Sequence, residues 1–253
     1  MKTLKKWGTF LQGFIILNII WWIGSVIVDS RALPSPIKIY ESLPKLLGND
    51  FYLHILASVQ RLIIGLVISL AIGLVVGLLM GYSKRVNKIL NPVVYFTYPV
   101  PKTALLPVVM ILYGLGDASK ITLIVLITVF QVIVSVRDAV INIPSQLYNP
   151  LKSLGASNMQ LFKNVTFPAI LSDLLTNIRL SVGTALSVLF FAEAYGTTVG
   201  LGYYIQDAWT RIDYISMYGA ILVLSIVGVV LFLVIDLIED NFCRWKKDGE
   251  IDE

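Results

Sequence analysis

Residues 56–82 read LASVQRLIIGLVISLAIGLVVGLLMGY, with no charged side chain after Arg61. A helix that crosses the hydrocarbon core of a bilayer needs about 20 mainly apolar residues. In lipid the backbone must satisfy its own polar groups, so a single apolar run of this length is a membrane-spanning helix. Gly73, Gly77 and Gly81 lie four apart, and Gly65 precedes them on the same face. Glycines at that spacing let a second backbone approach closely. The seam they form belongs either to a transporter core or dimer interface, or to ordinary helix packing.

Five further apolar segments flank this one, at 7–28, 89–113, 121–140, 174–195 and 215–238. Together they predict an all-α, polytopic membrane protein with six transmembrane helices in a single domain, 1–253. Within it, 1–55 holds the first helix and an external amphipathic segment, and 56–240 is a core with a cytoplasmic loop at about 141–173. The composition agrees: 57% of residues are hydrophobic and only 14% are charged, against about 25% charged in a soluble domain. The basic start from Met1 to Lys6 is like that of a signal peptide, but no small-x-small cleavage site precedes Pro34, so the first helix is read as uncleaved.

Lys and Arg flanking the spans set the orientation. Lys2, Lys5, Lys6, Lys84, Arg85, Lys88, Arg137, Lys152, Lys163, Arg179, Arg244, Lys246 and Lys247 fall on one side if both termini are cytoplasmic. The other side receives the sparser Arg31, Lys38, Lys45, Arg61, Lys120 and Arg211. Trp21, Trp22, Trp209 and Trp245 lie near span ends, as interfacial anchors do. The protein therefore sits in the cell (inner) membrane with both termini inside.

Several function classes are excluded or disfavoured. No basic stripe interleaved with aromatics points to nucleic acid. Cys243 is the single cysteine and His54 the single histidine. There is thus no disulfide framework, no thiolate metal cluster and no catalytic constellation for a membrane-embedded enzyme. His54 reads as an interfacial residue without a role, and Cys243 as an inert cytoplasmic thiol.

The 89–113 segment contains Pro92, Pro99, Pro101 and Pro107. Each removes a backbone donor, and broken helices persist in lipid only where protein or a water-filled cavity satisfies the freed carbonyls. Lys102 sits among these prolines. It either faces a path for an anion or snorkels to an interface. Gln131 either lines the path or bonds a neighbouring helix. Glu193, near the outer part of the fifth span, reads on its own as an acceptor for a backbone turn.

The loop after the fourth span carries the most local information. Asn149 is a suitable N-cap with Pro150 at the first helical position. Gly155 suits the left-handed position that ends a helix. Ser157 with Gln160 forms a capping box for the next helix, and Phe167-Pro168 is expected to stop that helix. Two short helices joined by a polar Gly155-Ala156-Ser157 corner result, the second with an apolar surface from Met159, Leu161, Phe162 and Val165. Such a knob either docks a partner or lies on the membrane surface.

Leu154-Gly155-Ala156-Ser157, Phe162 and Phe167-Pro168 resemble the cytoplasmic loop of binding-protein-dependent ABC importer permeases. Three more stretches carry the resemblance: Ala192-Glu193-Ala194 with Gly200-Leu201-Gly202; Pro99-Val100-Pro101-Lys102-Thr103-Ala104-Leu105-Leu106-Pro107; and Ile235-Asp236-Leu237-Ile238-Glu239-Asp240. They follow in family order from the second span to the end and are most similar to the nitrate, sulfonate and taurine branch. The resemblance implies a type I ABC importer permease fold and an ATPase-coupling loop at Leu154, Gly155, Ala156, Ser157, Leu161, Phe162 and Pro168. It implies a path or outer gate at Pro101, Lys102, Gln131, Glu193, Gly200 and Gly202. It also implies a second permease subunit, two copies of an ABC ATPase subunit that bind ATP and Mg, and an external solute-binding protein. The chain has no Gly-x-x-x-x-Gly-Lys-Ser/Thr phosphate loop, so it holds no cofactor and hydrolysis falls to the partner. The family's Glu-Ala-Ala is replaced by Asn149-Pro150-Leu151, which puts a carboxylate contact with the ATPase in doubt. The implied solute is small: an anion such as nitrate, a sulfonate, taurine or bicarbonate, or a vitamin precursor. A secondary transporter or channel is the alternative, though paired intramembrane charges and an inverted repeat are not evident.

Overall fold

The computed structural model describes the backbone of residues 2–48 and 50–243, with side chains from residue 12 on. Trp245 and the terminal basic residues Arg244, Lys246 and Lys247 lie outside the described residues. Helices α1 (Lys2–Val28), α2 (Pro36–Leu47), α3 (Phe51–Tyr82), α4 (Lys84–Thr97), α5 (Leu106–Tyr113) and α6 (Asp117–Ile141) form the first half. Then come α7 (Asn149–Ser153), α8 (Asn158–Leu161), α9 (Phe167–Glu193), α10 (Leu201–Thr210) and α11 (Tyr214–Phe242). Short 3-10 turns occupy Lys102–Leu105 and Ser145–Leu147, and a π turn occupies Phe162–Thr166. Among the described residues there is no strand.

Four helices are long and apolar enough to cross a membrane: α3, α6, the continuous Asn158–Glu193 helix and α11. The expected single helix over 89–113 is not straight. Lys84–Thr97 and Lys102–Tyr113 meet at 83°. Pro99 and Pro101 fall in the break, where neither can donate to the preceding turn. α1 is 27 residues long, and the part of it with described side chains, Gln12–Val28, is apolar.

The glycine seam of α3 packs on α6. A Cβ on Gly65 would lie 2.7 Å from Ile124; on Gly73, 2.6 Å from Val132; on Gly77, 2.7 Å from Val136; on Gly81, 2.7 Å from Val140. Between these steps Ser69 Oγ meets Thr128 Oγ1 at 2.6 Å, and each hydroxyl also donates to the carbonyl four residues back. The paired numbers rise together, so α3 and α6 are parallel. That direction has a consequence. The chain leaves α3 at Tyr82 and re-enters α6 at Asp117, which touches Arg61 back near the start of α3. At 1.5 Å per helical residue, Arg61 to Tyr82 is about 30 Å. The bent α4–α5 segment therefore carries the chain back over the full length of the bundle.

α9 runs antiparallel to α6, with Ile170 and Leu174 against Val136 and Val140, and Ser181 against Gln131. α11 returns along α9, where Leu175 and Val182 pack with Ile235. The amphipathic α2 seats Leu46 over Gly219 of α11. Turns 29–50, 114–116 and 194–213 gather at the Arg61 end of the bundle, and 83 and 142–157 at the Tyr82 end.

Phe167-Pro168 does not stop the helix that starts at Asn158. The π turn Phe162–Thr166 stands just before Pro168, which sits in the first turn of α9. The wider turn absorbs the hydrogen bond that proline cannot donate, and the helix runs on to Glu193. Asn149 likewise lies inside α7 rather than capping it; the N-cap position is Tyr148, without a side-chain cap.

Candidate functional site

At the Arg61 end, the last turn of α9 places Glu193 in a fully buried position, 0% exposed. Its carboxylate accepts from Ser58 Oγ, from Arg61 Nη1 at 2.7 Å and from the Gly202 N–H at 2.9 Å. Ser58 and Arg61 are three apart on α3, hence on one helix face. Arg61 also donates to Asp117 Oδ1 at 2.8 Å and to the Val199 carbonyl at 2.7 Å. A buried charge is tolerable only when paired and fully hydrogen-bonded, and this carboxylate meets that condition. The pair pins five elements together: α3, α6, α9, the 194–200 turn and α10. Gly200 has φ +140°, and a Cβ there would lie 2.5 Å from the Glu193 carboxyl carbon. Gly202 has the Phe190 carbonyl 2.6 Å from where its Cβ would be. Both glycines are required by the approach of backbone to carboxylate.

The sequence reading of two cations changes here. Arg61 and Lys120, counted among the sparser charges of the outer side, are both buried. Lys120 Nζ donates to the carbonyls of Leu115 and Gly196, tying the turn before α6 to the turn after α9. His54 is not idle either. Its Nδ1 lies 3.1 Å from both N and O of Gly200, and its ring stacks on Tyr203. Arg179, counted among cytoplasmic loop charges, projects from α9 to Asp236 and Glu239 of α11. Cys243 is buried.

Lys102 and Pro101 sit at the α4–α5 break. The Lys102 ammonium donates to the carbonyls of Thr97 at 2.9 Å and Tyr98 at 3.0 Å, and lies over the Phe130 ring. It thus supplies donors to the carbonyls that the broken helix leaves open. Replacing Lys102 with glutamine should lower the thermal stability of the purified protein by about 1 kcal/mol, the scale of a partly exposed hydrogen bond. Unchanged melting would show that the carbonyls find water instead. Gln131 takes the Ser181 hydroxyl at 3.3 Å.

At the Tyr82 end, Gly155 adopts φ +76° and ends α7. Ser157 and Gln160 form the full capping box that opens α8. Leu154 is 83% exposed and Met159 72%. Leu161 and Val165 turn inward, so the predicted apolar surface of the second helix is split between core and solvent. The hydroxyls of Tyr82 and Tyr148 both hydrogen-bond with the Thr166 hydroxyl, which fastens this corner to the end of α3. Tyr82, Tyr148, Lys152 and Phe162 line a hollow of about 630 Å³ behind it.

The structure joins Glu193, Gly200 and Gly202 in one cluster, and Leu154 to Phe162 in another, at opposite ends of the bundle. Pro101, Lys102 and Gln131 lie between them. Ser58, Arg61 and Asp117 went unread in the sequence. A charge and a hydroxyl three apart inside an apolar run was the available signal, because an intramembrane cation needs a partner.

An all-helical bundle with apolar spans, a buried ion-paired cluster at one end and an exposed two-helix corner at the other is the architecture of a polytopic membrane protein. Residues 69–247 match the family model described as binding-protein-dependent transport system inner membrane component. The chain belongs to that family: it is the permease subunit of an ABC transporter, and the ATPase is a separate subunit. It is 30% identical over 235 residues to the formylaminopyrimidine transport permease protein ThiX of Halalkalibacterium halodurans, covering 92% of this chain and 94% of that one. It is 30% identical over 244 residues to the taurine transport system permease protein TauC of Escherichia coli, covering 93% and 88%. In fold it is similar to a chain of the inward-facing MetNI methionine ABC transporter, with a TM-score of 0.58 at 19% identity, covering 76% of this chain and 95% of that one.

Proposed function

We propose that this permease crosses the membrane six times as one domain, with both termini in the cytoplasm, and imports a small polar solute handed over by an external binding protein. Two copies pair, and two ATPase subunits that bind ATP and Mg seat on the corner from Leu154 to Phe162. The alternating helix directions support six crossings, with the 27-residue α1 as the first and the bent α4–α5 segment as one broken crossing. Lys84, Arg85, Lys88, Lys152 and Lys163 all cluster at the Tyr82 end, which supports that end as cytoplasmic. Relatives named for taurine, aliphatic sulfonates and formylaminopyrimidine support a small solute rich in hydrogen-bond acceptors.

In this reading the corner transmits ATPase closure, and the Glu193, Gly200 and Gly202 cluster closes the outer end. Pro101, Lys102 and Gln131 flank the path between. Pro168 places the coupling helix in line with α9, so a push at the corner travels along a single 36-residue helix. ATP then biases two packings of the bundle through contacts made at the corner.

The observation that carries the proposal is the corner itself: a left-handed glycine that presents Leu154 and Met159 to the cytoplasmic side, unburied by any part of the described chain. A β-branched residue at φ +76° costs about 1–3 kcal/mol of backbone strain, while a Cβ there meets nothing within 4 Å. Gly155→Val should therefore fold yet misplace the corner. Reconstituted with its ATPase and binding protein, the variant is expected to hydrolyse ATP while its uptake drops at least tenfold. Full uptake by Gly155→Val would remove the corner from the coupling path.

A further inference from the structure

Half-way along the bundle, α6 and α9 share a concave face bordered by Tyr98 at the end of α4. It forms a cavity of about 390 Å³ lined by the polar Tyr98, Gln131, Ser135, Asn177 and Thr184 and the apolar Val134 and Leu180, with no charged residue in the lining. Gln131 lies about 21 Å from the start of α6 and about 15 Å from its end at 1.5 Å per residue, so the cavity is near mid-bilayer. The buried Ser181 hydroxyl stands between the two amides, 3.3 Å from Gln131 Oε1 and 3.4 Å from Asn177 Oδ1. The two NH2 groups have no partner among the described residues. Lys102, the nearest cation on the α4–α5 break, is committed to the carbonyls of Thr97 and Tyr98. The adjoining hollow that shares Tyr98 holds Arg137, already bound to Asp138 and Asn91.

An amide that faces lipid with its donors open costs several kcal/mol, so this face cannot contact acyl chains. It needs water, a second protein surface or a polar solute. Neutral donors also suit a conduit, where binding must be strong enough to admit a solute and weak enough to release it. A fixed cation would hold an anion too long.

We propose that Gln131 and Asn177 form an intramembrane hydrogen-bonding site for the acceptor group of the transported solute, a sulfonate oxygen or a carbonyl or ring nitrogen, within a water-filled path. The proposal rests on the importer reading above and adds which residues recognise the solute and by what chemistry. Ser181 shares its single proton between the two amide oxygens, so the NH2 groups are the donors open to the cavity, while Tyr98 supplies an aromatic wall.

Two measurements on the whole transporter, with ATPase and binding protein present, test it. In a Cys243→Ser background, Gln131→Cys and Asn177→Cys should react with a membrane-impermeant methanethiosulfonate, while Val230→Cys on the exposed face of α11 should not. Labelling no greater than that control would overturn the proposal. Separately, uptake of taurine, an alkanesulfonate and formylaminopyrimidine is measured in vesicles. Gln131→Leu and Asn177→Leu keep volume but remove the donors, and each should cut uptake of whichever probe the native complex carries at least tenfold, with assembly and ATP hydrolysis within twofold. Wild-type uptake in both variants would also overturn it. A native complex that labels at both cysteines but takes up none of the probes supports the wet amide site and counts instead against the solute assigned under the importer reading.

Discussion

Glu193→Ala is expected to lower the unfolding free energy of the purified protein by about 3–5 kcal/mol, the range for breaking one partner out of a buried ion pair. The physical cause is what remains behind. Arg61 would keep Asp117, whose side chain is 60% exposed, but lose its buried partner. The Ser58 hydroxyl and the Gly202 N–H would lose their acceptor in the same cluster. Desolvation of an uncompensated group, more than loss of the pair's own attraction, sets the size of the effect. Arg61→Met should cost a similar amount, because it leaves Glu193 charged, with only a hydroxyl and an N–H to satisfy it. The two changes act on one interaction, so the double variant should be clearly less damaged than the sum of the singles. Thermal unfolding in detergent of the two singles and the double gives the cycle. Strict additivity would mean that Glu193 and Arg61 are not energetically linked.

Gly77→Leu is expected to prevent stable folding. A Cβ at that position would already lie 2.7 Å from Val136 Cβ and 2.9 Å from the Ile133 carbonyl. Side chains can rotate away from such a contact, but backbone cannot without separating the helices. Gly77→Ala should therefore cost about 1–3 kcal/mol, the usual penalty for overpacking. Leucine adds three further carbons to a seam that has no room for one. The loss would spread, because the α3–α6 contact also aligns Ser69 with Thr128 and sets Arg61 beside Asp117. Gly13→Ala is the matched control: a Cβ on Gly13 in α1 meets nothing within 4 Å. Membrane yield and gel-filtration profile of the three variants decide the matter. Native-like Gly77→Leu protein would show that the seam is not close-packed in the membrane.

The local rules read well in this chain where a feature depends on a few neighbouring residues. The capping box at Ser157 and Gln160, and the left-handed Gly155, follow from side-chain reach and from backbone sterics at one residue. Run length and apolarity were enough for α3, α6 and α11. The same rules misjudged Pro168, because a π turn one residue upstream changes which carbonyl needs a donor. They also misjudged the 89–113 segment. Four prolines signalled a broken helix, but neither the 83° bend nor its location was readable, since both depend on packing against α3 and α6. Charge counting treated Arg61, Lys120 and Arg179 as loop charges. Nothing in a one-dimensional count distinguishes a lysine in solvent from one whose ammonium is held by two carbonyls.

By itself the sequence determined an all-helical membrane protein, the glycine seam on one face of α3, and the form of the corner at 149–160. Those are properties of composition, helical period and single-residue conformation, all of which act over a few residues. Tertiary structure alone decided that the seam meets α6 in parallel register and that Glu193 finds Arg61, 132 positions away. It likewise brought Gln131 and Asn177, whose NH2 groups have no partner among the described residues, to one cavity. Contacts of that separation depend on which helices pack together and in which direction. The free energy that selects them comes from closing the whole bundle, not from any segment of it.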